Sequence, residues 1–369
     1  MPKRTNGEGT IYQDKKGLWR GELTIGYDSD GKRQKKSFSS KDREALLKKM
    51  NDERFNLNRN ITTVKNDYTV AEWIDFWLIN YKAIELKSST YDGYETSFNA
   101  HVRDVIGHIK LDKLRPEQIQ SVYNTMYNDG KATSTIKHVH VVLSQSFKQA
   151  IKNNTLIRNP CDALVIPKTK TKKNRTMTLE EQEVFINCVP DTTHGRLLIF
   201  ALNTGMRCGE IAALTWGDID FDRMVISVNK TAARVVNRDA NADNKTKVIL
   251  SEPKTERGAR EVPINKVVAK ILNEQKEKSG IFVFTTKNNT AISTRVIHST
   301  LKSYLTKAGL PSDINVHSLR HTFATRLLEK GANIKAVSDI LGHASVQITL
   351  DIYSHALPNL KKDTIDLLD

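Results

Sequence analysis

Between His317 and Tyr353 the chain is punctuated by glycine, and that punctuation constrains the fold more than any other stretch. His317-Ser318-Leu319-Arg320 opens a helical pattern that stops at Gly331. A second helical pattern stops at Gly342, and Ser345 can cap a third that carries Tyr353. Short helices in succession must therefore meet at tight turns. An i,i+3 spacing puts His317 and Arg320 on one helix face. The stop at Gly342 delivers His343 to a helix terminus. Upstream, Arg207 follows Gly205, where a residue without Cβ lets the backbone turn a side chain inward. Taken singly, a helical histidine is most often a satisfied core residue, and a tyrosine in an apolar stripe is most often packing. The ordered set of two arginines, two histidines and a tyrosine suits a phenol attacking a phosphodiester held by fixed cations.

Charge bounds the partner. The formal net charge of +15 favours a polyanion, with nucleic acid ahead of an anionic membrane. Cys161, Cys188 and Cys208 lie far apart and make neither a CxxC pair nor a zinc spacing, which fits a reducing compartment. No apolar run reaches the ~18 residues of a membrane span, and the first residues lack a signal-like apolar core. A cytoplasmic, nucleoid-associated protein is expected. No carboxylate cluster suited to two metal ions stands out, which disfavours a metal-dependent nuclease.

At 369 residues the chain should hold two or three domains. The expected fold is multidomain. Residues 1–60 read as a small three-stranded sheet plus a helix, with strands at Gly9–Gln13, Leu18–Ile25 and Arg33–Phe38 joined by a hairpin at Asp28-Ser29-Asp30-Gly31. Residues 67–168 read as a helical bundle. Thr69 and Glu72 form a capping box for its first helix, and Ser88 or Ser89 is expected to cap the second. A basic linker at 169–175 follows. Residues 176–369 read as a mixed, mainly α-helical domain with a small β-sheet, opened by a second capping box at Thr178 and Glu181. In it Val248–Leu250 and Ala259–Ile264 are expected to pair, while polar Lys230–Lys247 forms a loop or an extended hairpin.

Several cations are candidate nucleic-acid contacts. Arg20, Lys32, Arg33, Lys35 and Lys36 could set a sheet face against a groove, or simply keep a strand edge from aggregating. Lys131, Lys137 and Lys148, with His138, could reach phosphates from the bundle. Linker residues Lys170, Lys172 and Lys173 would gain by releasing condensed counterions.

The motifs Thr204-Gly205-Met206-Arg207-Cys208-Gly209-Glu210, Pro253-Lys254-Thr255, His317-Ser318-Leu319-Arg320-His321, Leu341-Gly342-His343 and Ile352-Tyr353-Ser354-His355 together resemble the tyrosine recombinase (phage integrase) family, as found in conjugative transposons and temperate phages. The resemblance implies an arm-binding module, a core-binding domain and a catalytic domain in that order. It implies that Arg207 and Arg320 clamp the scissile phosphate, that His317 and His343 add hydrogen bonds, and that Glu210 orients the cluster. Tyr353 would form a 3′-phosphotyrosyl bond while Lys254 protonates the leaving 5′-oxygen. No cofactor, metal or ATP is implied. The implied partners are double-stranded DNA at core and arm-type sites, a homotetramer on synapsed DNA, and an excisionase or DNA-bending accessory protein. The function implied is integration and excision of a mobile element. A chromosome-resolving recombinase or a type IB topoisomerase is the alternative, though resolvases of the family typically lack a strand-rich N-terminal module. The apolar residues after Tyr353 could pack on their own domain or on a neighbouring protomer.

Overall fold

A computed structural model describes residues 10–27, 32–58, 68–169, 175–239, 241–252, 258–276, 280–286 and 288–354, with the backbone alone at 25–27, 33–34, 55–58 and 351–354. The chain divides into two compact units between Thr171 and Lys172, inside the basic linker.

The first unit holds two small cores. β1 (Thr10–Gln13), β2 (Trp19–Tyr27) and β3 (Arg33–Ser40) form an antiparallel sheet in the order β1-β2-β3. Asp14 closes the first turn by accepting the Lys16 and Leu18 amides. α1 (Arg43–Asn58) lies across the sheet and buries Leu46 and Met50 against Leu23. The approach is close. A Cβ at Gly21 would sit 2.2 Å from Met50 Sδ, so any larger residue there must displace the buried Met50 side chain. The expected hairpin at Asp28-Ser29-Asp30-Gly31 lies outside the described residues.

The helical core of the same unit begins with α2 (Val70–Trp77), which passes through a π-helical turn (Leu78–Lys82) into α3 (Ala83–Glu85). α4 (Ser88–His101), α5 (Arg103–Ile106), α6 (Pro116–Asn128) and α7 (Thr133–Lys152) follow. The Thr69–Glu72 capping box is present. The second expected cap is not: Ser88 is already helical, and the cap position falls to Lys87, which makes no side-chain cap. Trp73, Trp77, Phe98, Tyr123 and Phe147 fill the core, and the Trp73 indole donates to the Ser146 carbonyl at 3.0 Å. Truncating any of these rings to alanine should cost about 3–5 kcal/mol.

The second unit wraps helices around one large core. α8 (Leu179–Cys188), α9 (Thr193–Thr204) and α10 (Cys208–Ala213) precede the strands β4 (Ile219–Asp220), β5 (Val225–Val228), β6 (Thr231–Val236), β7 (Thr246–Ser251) and β8 (Arg260–Pro263). α11 (Lys266–Lys276), α12 (Thr294–Lys307), α13 (Val316–Glu329), α14 (Ile334–Leu341) and α15 (Val346–Ser354) complete it. Phe200 and Phe284 meet edge to face at its centre, 5.2 Å apart. The expected pairing of Val248–Leu250 with Ala259–Ile264 is replaced. β8 pairs with β5 in the sheet β4-β5-β8, and β7 pairs with β6 as a separate hairpin. Burial explains the exchange: Val262 opposes Ile226 and both are sequestered, whereas β7 is partly exposed and finds its partner in β6.

The ends of the basic linker are anchored. Thr169 exchanges hydrogen bonds with Thr133 in the first unit. Arg175 forks onto Glu181 and also reaches Asp313 in the second. Lys170, Lys172 and Lys173 lie outside the described residues.

Candidate active site

α9 stops because Gly205 takes a left-handed conformation, φ 63°. A Cβ there would meet Phe323 Cδ1 at 2.5 Å and Leu341 Cδ2 at 2.8 Å, so both backbone and packing demand glycine. The chain re-enters helix with Arg207 at the N-cap of α10 and Glu210 at its third position. Glu210 accepts the Arg207 amide at 2.8 Å and Arg207 Nη1 at 2.9 Å.

A second guanidinium completes Glu210. Arg260, on β8, donates Nη1 and Nη2 to the two carboxylate oxygens at 3.0 and 2.8 Å. The two side chains are 5% and 4% exposed. Burial alone would raise the Glu210 pKa, but the Arg260 fork and then Arg207 outweigh it and hold the carboxyl below the usual carboxylate range.

The arginines share one further feature. Arg260 Nε donates to the Ile340 carbonyl at 2.6 Å, Arg320 Nη2 to Leu341 at 2.7 Å, and Arg207 Nη2 to Gly342 at 2.9 Å. Successive carbonyls at the C-terminus of α14 each receive one guanidinium. Such carbonyls have no intrahelical partner and carry the negative end of the helix dipole. Arg320 Nη1 also donates to the Gly205 carbonyl at 2.8 Å, tying α13 to the α9 stop. Burial, and next the charge of Arg207, push the Arg320 pKa down to about 9, which leaves it charged at neutral pH.

The histidines stand around this cluster. His343 follows the left-handed Gly342, φ 65°, and its amide donates to the Ser338 carbonyl. The ring is buried, and Nδ1 lies 2.8 Å from Thr349 Oγ1. Burial, then Arg320 and Arg207, push its pKa down to about 4, so the imidazole is neutral. His317 lies in the first turn of α13, which Asn315 caps. It is exposed by area yet shielded enough that desolvation, then Arg320, His298 and Arg207, lower its pKa. His321 also stands near the cluster. Its charge opposes protonation of His343, and its buried Nδ1 has no hydrogen-bond partner among the described residues.

Of the expected site residues, Arg207, Glu210, His317, Arg320 and His343 therefore share one neighbourhood. Tyr353 lies on α15, one turn beyond Thr349, and its side chain is outside the described residues. Lys254 and His355 are also outside them. Arg260 was not singled out from the sequence. Guanidinium forks match oxyanions in pairs, and the described cluster sets Arg207, Arg260 and Arg320 against the single carboxylate of Glu210. It can hold a phosphate and stabilise charge that builds on it.

The candidate nucleic-acid cations are spread over the first unit. Arg20 pairs with Asp14, Lys35 with Glu22 and Lys36 with Glu53. Lys32, Lys131, Lys137 and Lys148 are exposed, and the Arg33 side chain is outside the described residues. His138 is taken up structurally, with Nδ1 2.7 Å from Ser97 Oγ and its ring against Tyr94.

Comparison with known proteins places these features in context. A family model described as the phage integrase family matches residues 175–359, and one described as phage integrase, N-terminal SAM-like domain, matches 69–127. The chain is 32% identical to a tyrosine recombinase XerC-like protein of Caldanaerobacter subterraneus subsp. tengcongensis, over 100% of this chain and 99% of that one. It is 29% identical to the ICEBs1 integrase of Bacillus subtilis, over 78% and 79% of the respective chains. Its fold is similar to that of the Tn1549 transposon integrase solved in complex with transposon right end DNA, with a TM-score of 0.67, 24% identity, and coverage of 81% of this chain and 99% of that one.

Proposed function

The chain belongs to the phage integrase family of tyrosine recombinases, and on that basis we propose how its own residues cut and rejoin DNA. It is a site-specific recombinase of the kind that integrates mobile elements. In our reading Arg207 and Arg320 clamp the scissile phosphate of a double-stranded core site, and Tyr353 attacks phosphorus. A 3′-phosphotyrosyl bond forms as the 5′-oxygen leaves, and Lys254 supplies the proton that oxygen takes. A 5′-hydroxyl from the partner duplex then reverses the step, so the bond energy is kept and no ATP is consumed. Free phenol has a pKa of about 10, and the clustered cations favour its anion. Glu210 orients Arg207 and takes no proton.

The observation that carries this reading is the set of guanidinium groups fixed to the α14 carbonyls beside the buried, neutral His343. Fixed cations in a partly dry pocket stabilise a pentacoordinate phosphorane without reorganising at the moment of reaction. We assign residues 67–168 to core-site binding, with Lys137 and Lys148 three turns apart on α7 facing the backbone, and residues 1–60 to arm-type sites. The working assembly is a homotetramer on paired duplexes, joined by an excisionase or DNA-bending protein, in the cytoplasm with the nucleoid.

The test is a nicked suicide substrate carrying the element's attachment site, incubated in EDTA. The wild-type protein is expected to trap a covalent adduct that Tyr353→Phe does not form. No adduct from the wild type would sink the reading. Relaxation of supercoiled plasmids that lack the site would point instead to a type IB topoisomerase.

A further inference from the structure

Threonine in a helix commonly turns its hydroxyl back to the carbonyl four residues earlier. Thr204 does so toward Phe200, and Thr322 toward Ser318. Thr349, in the first turns of α15, does not. It is fully buried, and its hydroxyl partner among the described residues is His343 Nδ1, at 2.8 Å.

We propose that Thr349 is a positioning residue whose hydroxyl fixes the tautomer of His343, so that the imidazole presents Nε2–H to the phosphate. The inference rests on the proposed role of His343 at that phosphate. Its chemistry is simple bookkeeping of protons. With the Thr349 hydroxyl as the donor, Nδ1 keeps its lone pair. A neutral imidazole then has a single N–H, on Nε2. The opposite tautomer would aim a lone pair at a phosphate oxygen and repel it. Burial holds the ring in its neutral form, helped by the neighbouring groups Arg320, Arg207, His321 and Arg260 on α13, β8 and the turn after α9. Thr349 also precedes Tyr353 by one helical turn. The same hydrogen bond thus ties the histidine's orientation to the seating of the helix that carries the nucleophile.

Long-range ¹H–¹⁵N correlation on the full-length protein at neutral pH, with His343 assigned by comparison with His343→Gln, reads the tautomer directly. A protonated Nε2 and an unprotonated Nδ1 are expected; the reverse overturns the proposal. On the suicide substrate, Thr349→Val should slow adduct formation at least about tenfold with DNA affinity unchanged, and Thr349→Ser should restore most of the rate. A valine variant that keeps both the wild-type rate and the Nε2–H tautomer also overturns it. Should Thr349→Val fail to fold, the wild-type tautomer and the serine rate decide. Should the wild type form no adduct at all, the recombinase mechanism fails, while the spectrum still judges the hydrogen bond.

Discussion

At the scale of single residues, Arg260 is the informative case. Removing it as Arg260→Ala strips Glu210 of a bidentate partner and leaves a buried carboxylate with Arg207 alone. Loss of one member of a buried pair costs about 3–5 kcal/mol. We expect a matching fall in urea-unfolding free energy, partly restored by adding Glu210→Gln, since the uncompensated charge is then gone. Equal stability of Arg260→Ala and wild type would refute the coupling. Gly205→Ala should cost about 1–3 kcal/mol by thermal denaturation, from the left-handed backbone and the clash with Phe323 and Leu341. Arg207, His317, Arg320 and His343 were legible in the sequence because each sits at a short, fixed offset from a helix start or stop. Arg260 was not, because nothing in Arg257-Gly258-Ala259-Arg260-Glu261 distinguishes one cation from the other. Its partners, Glu210 and Ile340, lie 50 and 80 residues away in sequence.

At the scale of elements, α13 carries both His317 and Arg320, and its start is fixed by Asn315, whose side chain accepts the Ser318 amide at 3.1 Å. Asn315→Ala should cost about 1 kcal/mol of stability. It should also slow adduct formation more than an equally destabilising cap deletion at Thr69, which lies in the other unit. Comparable slowing by both variants would show that global stability, not α13 geometry, sets the rate. Helix ends were readable because Thr, Asn and Gly act locally through backbone groups that need partners. Strand partners were not. β7 and β8 each offer a short run with valine in it, and the choice between neighbours is made by burial of Val262 against Ile226, which depends on the whole core. The π-helical turn at Leu78–Lys82 left no trace in the apolar spacing either.

For the whole molecule, acid and salt are the levers. An unfolded histidine titrates near about 6.5, whereas folded His343 accepts a proton near about 4. Between those values the unfolded chain binds a proton that the folded chain refuses. Stability from this residue is therefore complete above the upper value and drains as pH falls toward the lower, by on the order of 3 kcal/mol. His317 and His321 act in the same direction. The thermal midpoint of the second unit should drop across that window, and His343→Gln should flatten the drop. Deleting residues 1–60 should spare cleavage at core sites and abolish binding to distant arm sites; retained arm-site binding would overturn that assignment. A carbonyl can aim a cation without cancelling it. Arg320 is oriented by peptide oxygens alone and Arg207 by one peptide oxygen and the Glu210 carboxylate, which Arg260 also engages, so the three guanidinium groups keep a positive excess over the one carboxylate. A phosphodiester seated on this cluster would supply the balancing negative charge, so the grip on DNA and the resistance of this unit to heat should rise together.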